Sequence, residues 1–204
     1  MRIFSTPKII RYLFPKILWR INTRERAVYL TFDDGPTPNV TEWVLDLLAE
    51  NQAKGTFFCI GERVLMHKGI YDKVLDKGHS VGNHSFSHED AWKVSHDAYV
   101  DDVKKAKTII ESSLFRPPYG KLTYRSYLYC RNSYKVVLWD IITHDWDMNV
   151  NTDAVLAYLK KKTNAGSIIV FHDSEKAFLQ MKKILPEYLA WLKENGYVCK
   201  KIEH

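Results

Sequence analysis

Residues 27–36 read Ala27-Val-Tyr-Leu-Thr-Phe-Asp-Asp-Gly-Pro36. A run of apolar, β-branched and aromatic residues goes straight into two carboxylates and a turn. Such continuous apolar character suits a strand covered on both faces, as in a parallel sheet flanked by helices. Two adjacent carboxylates at its end repel each other and lose hydration unless something positive lies beside them. As neighbours in an extended segment, Asp33 and Asp34 point to different sides, so one can hold a cation while the other receives a proton. Asp-Gly-Pro is also good turn chemistry, and the stretch alone does not choose between a turn and a site.

The same grammar repeats outward from this stretch. Short apolar runs occur at 27–32, 55–60, 80–82, 114–116, 135–139, 167–171 and 197–200. Helical patterns at 40–51, 62–77, 95–113, 152–163 and 175–195 lie between them, and Gly78, Gly166 and Gly196 follow helices where a left-handed residue is wanted. Strand and helix alternating six or seven times predict a parallel α/β fold, as an open sheet or a closed barrel. Five polar clusters each come just after an apolar run: Asp33-Asp34, His84 to His88, Arg116 to Tyr119, Asp140 to Trp146, and His172-Asp173. Strand C-terminal ends open on one face of a parallel α/β protein, so the five are expected to converge there.

At 204 residues the chain fits one domain, with 46% apolar and 26% charged residues, ordinary for a globular protein. Residues 1–26 hold Arg2, Lys8, Arg11, Lys16, Arg20, Arg24 and Arg26 against Glu25 alone, which accounts for the whole net charge of +6. The rest balances 23 basic against 23 acidic residues, so the body is no polycation built for nucleic acid. Lys8, Arg11, Lys16 and Arg20 interrupt every apolar run near the start, so neither a cleavable signal nor a membrane span is expected. A basic segment bearing Phe4, Tyr12, Phe14 and Trp19 either packs on the domain or lies on an anionic membrane surface through residues 1–20. The expected division is 1–25 for this segment and 26–204 for the main domain, which carries the five polar clusters. Cys59, Cys130 and Cys199 are odd in number and widely spaced, which predicts buried thiols rather than disulfides or a zinc knuckle. With no signal and free thiols, a cytoplasmic or membrane-face location is expected.

The clusters carry distinct chemistries. His84 and His88, four apart, face one ion if the chain turns helical after its strand, and with Asp34 they make a two-histidine, one-carboxylate set. Such a set leaves positions for water and substrate and suits zinc or another first-row divalent ion such as cobalt, nickel or manganese. Arg116-Pro-Pro-Tyr-Gly120 is a rigid turn that can aim a peptide N–H near Tyr119 at an oxyanion, while Arg116 supplies a permanent cation for Asp33. Trp139 and Trp146 beside carboxylates suit a carbohydrate wall, although Trp139 equally suits a core. His172, placed on the same face, suits a general acid.

In this order, Thr31-Phe-Asp-Asp-Gly-Pro36, His84-Ser-Phe-Ser-His88, Arg116-Pro-Pro-Tyr-Gly120, Asp145-Trp146 and Phe171-His-Asp173 closely resemble the polysaccharide deacetylase family with its NodB homology domain (carbohydrate esterase family 4), over about residues 26–200. The resemblance implies a distorted (β/α)7 barrel, an incomplete relative of the eight-stranded TIM barrel. It implies Asp34, His84 and His88 as metal ligands, Asp33 as base, Arg116 as its positioning partner, and His172 as acid oriented by Asp145. It also implies Tyr119 as the oxyanion-holding residue. The implied reaction is metal-dependent removal of the N-acetyl group from an N-acetylated sugar, in an N-acetylglucosamine-type glycan, peptidoglycan or a lipid-linked sugar. An O-acetyl esterase and a non-catalytic glycan-binding protein are the alternatives. Two positions depart from the pattern. Ile142 stands where an aspartate is frequent, and Phe171 replaces the usual leucine, so Phe171 is expected to narrow the acetyl pocket.

Overall fold

The computed structural model describes residues 4–203; Met1 to Ile3, including the basic Arg2, and His204 lie outside the described residues. Its strands are β1 (Ala27–Asp33), β2 (Gly55–Cys59), β3 (Ser80–Asn83), β4 (Leu114–Phe115), β5 (Lys135–Val136), β6 (Ile141–Ile142), β7 (Ile168–His172) and β8 (Val198–Cys199). Its helices are α1 (Lys8–Leu13), α2 (Val40–Glu50), α3 (Gly61–Met66), α4 (Lys68–Asp76), α5 (His96–Lys107), α6 (Tyr124–Ser133), α7 (Thr152–Lys162) and α8 (Glu175–Glu194). Seven strands run in parallel in the order β5-β4-β3-β2-β1-β7-β6, and β8 pairs with the first residues of β1. This is the distorted (β/α)7 barrel the sequence leads one to expect.

Alternation along β1 explains how a continuously apolar strand serves two layers. Val28, Leu30 and Phe32 point outward into a core shared with α2, α7 and α8. Ala27 and Tyr29 point into the barrel with Phe58, Leu114, Val137 and Ile168. Continuing the inward row, Thr31 and Asp33 meet the buried Arg116 guanidinium. Side chains of a strand alternate strictly, so Asp33 is the last rung of the barrel's interior. Gly78, Gly166 and Gly196 all have positive φ, as their places after helices require.

Several local expectations are corrected. The segment 62–77 is two helices, broken at His67, whose φ of −129° and ψ of 43° are not helical. The 95–113 pattern forms a helix only to Lys107, and the 135–139 run is a strand for two residues. Helices α1 and α6 and strand β6 arise where none was expected. His84 and His88 do not share a helix: their loop curls through left-handed residues at Ser85 (φ 63°) and His88 (φ 61°). Asp102 on α5 braces that loop, accepting from the Phe86 and Ser87 N–H groups and the Ser87 hydroxyl.

The first residues join the barrel wall. Leu18 exchanges backbone hydrogen bonds with Val136 and Leu138 beside β5, and Phe4 accepts from Ile142 of β6. The two edges of the open sheet are therefore both paired to the same N-terminal segment.

Candidate active site

The register sets the site. Asp33 on β1 lies directly opposite His172 on β7, and Asn83 of β3 lies opposite Cys59 of β2 and Phe115 of β4. Residues just beyond these ends therefore crowd onto one rim. They surround a cavity of about 490 Å³ lined by Asp33, Asp34, His84, His88, Tyr119 and His172, together with Trp139, Ile142, His144, Trp146, Ser174 and Lys176.

Asp33 is buried and held by a cation. Arg116 donates from Nη1 to Asp33 Oδ1 at 2.6 Å and to Thr31 Oγ1 at 2.7 Å, and from Nε and Nη2 to the Val137 and Leu138 carbonyls at 3.3 Å. Its guanidinium carbon stands 4.1 Å over the Phe58 ring. Burial lowers the Arg116 pKa, and the Asp33 charge opposes that shift. A buried, fully hydrogen-bonded ion pair of this kind fixes geometry, because either partner alone would be left charged in a poorly solvated place.

Asp34, one residue beyond, has φ 80° and turns away from Asp33. Its Oδ1 lies 3.2 Å from His88 Nε2 and 3.7 Å from His84 Nε2, and ligand atoms of all three residues fall within 4.8 Å of one another. Burial pushes the Asp34 carboxyl upward, but the His88 hydrogen bond and the nearby histidines hold it well below the usual carboxylate range. His84 Nδ1 lies 2.6 Å from the Arg116 carbonyl, so Nδ1 carries the proton and donates. Burial lowers this imidazole to about 4, leaving it neutral with a bare Nε2 lone pair turned to a carboxylate oxygen. Two acceptors facing each other in a buried setting fit a cation between them. The donor set of one carboxylate and two imidazoles, without thiolate, fits zinc or a similar first-row ion.

His172 is the electrostatic counterpart of Asp33. Its Nδ1 donates to Asp145 Oδ1 at 2.8 Å, and its backbone N–H donates to Asp145 Oδ2 at 2.9 Å. Burial presses the imidazole down, but the charge and hydrogen bond of the buried Asp145 raise it to about 9. It is therefore cationic at neutral pH. The Trp146 ring meets it edge-on, 4.6 Å between centroids.

Tyr119 sits in a single 3-10 turn, Pro118–Gly120, with φ 58°. The Gly120 and Lys121 N–H groups are taken by the Pro117 and Pro118 carbonyls. Gly120 is itself at φ 66°, and a Cβ there would stand 2.5 Å from the Trp139 ring. The Tyr119 side chain is exposed and its ring lies 4.7 Å from that of His88.

Phe171 is placed differently from expectation. It points out of the barrel into the helical core, 6.0 Å from Phe32 and 6.5 Å from Tyr188, and is absent from the cavity wall. Adjacent residues on a strand face opposite ways, so with His172 inward Phe171 must face outward. Ile142 and His144, from the Asp140 to Trp146 cluster, join the wall, whereas Ser174 and Lys176 carry no clear pocket signal in the sequence. Asp173 is likewise unforeseen in its role. It accepts from Gly35 N–H at 3.1 Å and from Thr41 Oγ1 at 2.5 Å, fastening the turn that carries Asp33 and Asp34. A Cβ on Gly35 would collide with this carboxyl at 2.0 Å, which accounts for the glycine.

A family model described as polysaccharide deacetylase matches residues 20–138. A peptidoglycan-N-acetylglucosamine deacetylase of Bacillus cereus is 33% identical, the match covering 89% of this chain and 88% of that protein. A peptidoglycan-N-acetylmuramic acid deacetylase of Bacillus subtilis is 29% identical over 89% of this chain and 72% of its own. Among solved structures, a peptidoglycan N-acetylglucosamine deacetylase in complex with 4-naphthalen-1-yl-N-oxidanyl-benzamide superposes with a TM-score of 0.85. Their identity is 26%, over 95% of this chain and 94% of that one.

Proposed function

This chain belongs to the polysaccharide deacetylase family of hydrolases, and on that premise we propose that it hydrolyses the N-acetyl group of a glycan sugar, releasing acetate and leaving a free amine. The observation that carries this reading is the arrangement around one cavity. An anionic carboxylate locked to Arg116 and a cationic imidazole locked to Asp145 flank the Asp34–His84–His88 cluster. The two peptidoglycan relatives are named for N-acetylated sugars, which favours an amide over an ester as the bond cleaved.

Asp34, His84 and His88 would hold a divalent ion, zinc by its donor set. When bound, such an ion acidifies water and polarises a carbonyl. Asp33 accepts the proton of the attacking water, and the hydrogen bond from Arg116 keeps its carboxylate aimed. The Tyr119 N–H, presented by the rigid Pro117-Pro118 turn, donates to the oxygen on which charge develops. His172 gives its Nε2 proton to the departing nitrogen, while Asp145 holds Nδ1 and keeps the ring protonated beforehand. Trp146 and Trp139 supply flat apolar walls of the kind sugar rings stack on.

Acetate release from N-acetylglucosamine oligomers and from peptidoglycan, with zinc added, tests this reading. The native protein should be active, chelation should abolish the activity, and Asp33→Asn should lower it by at least about 100-fold, the usual weight of a positioned base. An Asp33→Asn protein as active as the native one would remove Asp33 from the role of base.

A further inference from the structure

Helix α1, Lys8–Leu13, has its polarity inverted. Its charged Arg11 points inward, donating from Nη2 to Asp140 Oδ1 at 2.5 Å and to the Thr6 carbonyl at 2.9 Å. Its apolar residues point outward: Ile9 is 64% exposed, Ile10 38%, Tyr12 81% and Leu13 62%, while Phe14 just beyond it is 40% exposed with its ring edge-on to Tyr127. A helix lying on a protein in water buries its apolar stripe and presents its charges. Among the described residues fourteen large apolar side chains are exposed, and five of them fall in this one turn and a half. Concentration of that kind marks a surface that is covered in use.

The patch is held outward by what lies beneath it. Ile17 and Trp19 are buried in the body, Trp19 Nε1 donates to the Phe14 carbonyl at 3.0 Å, and Ser5 Oγ lies 2.7 Å from the Tyr158 hydroxyl. With Arg11 filling the inner side, the isoleucines and Leu13 cannot turn in without stripping Asp140 of a cation.

We propose that α1 is a lipid-docking element, which seats Ile9, Ile10, Tyr12, Leu13 and Phe14 in the headgroup region of an anionic membrane. Charge selects this occupant. Residues 1–26 carry a net +6 in the sequence; Asp140 takes up Arg11 and Arg20 and Glu25 is paired with Lys200, while Lys16 stands exposed two residues beyond the patch. Apolar side chains with an exposed cation beside them bind where acyl chains meet anionic headgroups, and each such cation adds to the attraction. Phe4, four residues before α1, packs edge-on against the cavity residue His144 at 5.2 Å. The docking requires no catalysis, so it stands or falls separately from the deacetylase reading.

Co-sedimentation of the full chain with phosphatidylcholine vesicles, with and without phosphatidylglycerol, tests the proposal. The native protein should bind the anionic vesicles, and bind them less in high salt. Ile9→Asp/Leu13→Asp should bind more than about tenfold more weakly, as expected when buried apolar area is lost. Leu65→Asp/Met66→Asp, the same charge change at another exposed apolar pair, should retain most of the binding. Thermal unfolding and acetate release from a soluble oligomer confirm that the variants are folded, and Tyr12→Ser/Leu13→Ser serves as a milder second variant. Native protein that ignores anionic vesicles overturns the proposal, as does equal weakening of both aspartate pairs. A native dimer that Ile9→Asp/Leu13→Asp dissociates, with no vesicle binding, would assign the face to a second copy instead.

Discussion

At the scale of single residues the site is a set of charges, each fixed by one partner. His172 owes its protonation to Asp145, because burial alone would drive the imidazole the other way. Acetate release should therefore hold up to about pH 8 and fall as pH rises through the His172 value of about 9. In Asp145→Asn only the lesser influence of the Asp34 and Asp33 charges still opposes burial, and the alkaline limb should move down by at least about one pH unit. A pH–rate profile measures this directly, and an unmoved limb would show that another group sets it. The stability sign follows from the same shift. The folded value lies above the ordinary 6.5, so the pair's stabilisation is complete below pH 6.5 and is lost as pH rises through about 9. Asp145→Asn should flatten that stretch of the stability curve. Much of this was legible in the sequence, since Asp33, Asp34, His84, His88, Arg116, Asp145, Tyr119 and His172 converge as their strand-end positions imply. Phe171 was misplaced, although the parity of its own strand sends it outward. Lys176 and Ser174 could not be read as wall residues, because the first turn of a helix reaches the rim only through the packing of α8 on β7.

Elements show why some structure stays hidden in sequence. The loop from His84 to His88 is organised by Asp102, fourteen residues beyond it, and by left-handed residues at Ser85 and His88. Nothing local distinguishes this from the helical turn that i, i+4 spacing suggests. Helix α6 carries Tyr, Ser, Cys and Asn, all modest helix formers, and is nucleated by Thr123, whose Oγ1 accepts from Ser126 N–H at 3.2 Å. Strand β6 is two residues long, below what periodicity can register. Gly166 was legible as a helix terminator, yet its stricter constraint is tertiary. At φ 84°, a Cβ would sit 1.9 Å from the Ile21 carbonyl oxygen, while Ile21 N–H donates to the Gly166 carbonyl and Gly166 N–H to Ala27. Gly166→Ala should therefore destabilise the protein by about 1–3 kcal/mol, the range for a residue forced into an unsuitable backbone conformation. Denaturant unfolding checks this. Gly196, at φ 70° with open space around it, supplies the control, since Gly196→Ala meets only the backbone preference and should lose less.

Across the whole molecule, an incomplete barrel must settle two sheet edges that a closed one would not have. A seven-strand path leaves β5 and β6 as edges joined by only four residues, too short a span to close the wall by pairing. Unpaired edges expose backbone donors and acceptors that invite other strands. The N-terminal segment fills the gap, with Leu18 against Val136 and Leu138, Phe4 and Thr6 against Ile142 and Asp140, and Ile21 against Gly166. It also supplies the cations for Asp140, which is buried between Arg11 and Arg20 and accepts from Ser167 Oγ at 2.7 Å. The segment thus has an inner side that completes the wall and, on α1, an outer apolar side. These two contributions separate experimentally. Removing residues 1–21 unpairs both edges and leaves the Asp140 carboxylate buried without a cation, a defect that by itself costs about 3–5 kcal/mol. That truncation should unfold at markedly lower denaturant, or aggregate through its bared edges. Ile9→Asp/Leu13→Asp touches only the outer side and should stay within about 0.5 kcal/mol of the native stability, as exposed substitutions do. Equilibrium unfolding of the two proteins side by side decides the matter. A truncation as stable as the native chain would mean that β5 and β6 need no third partner, and that the segment serves its outer face alone.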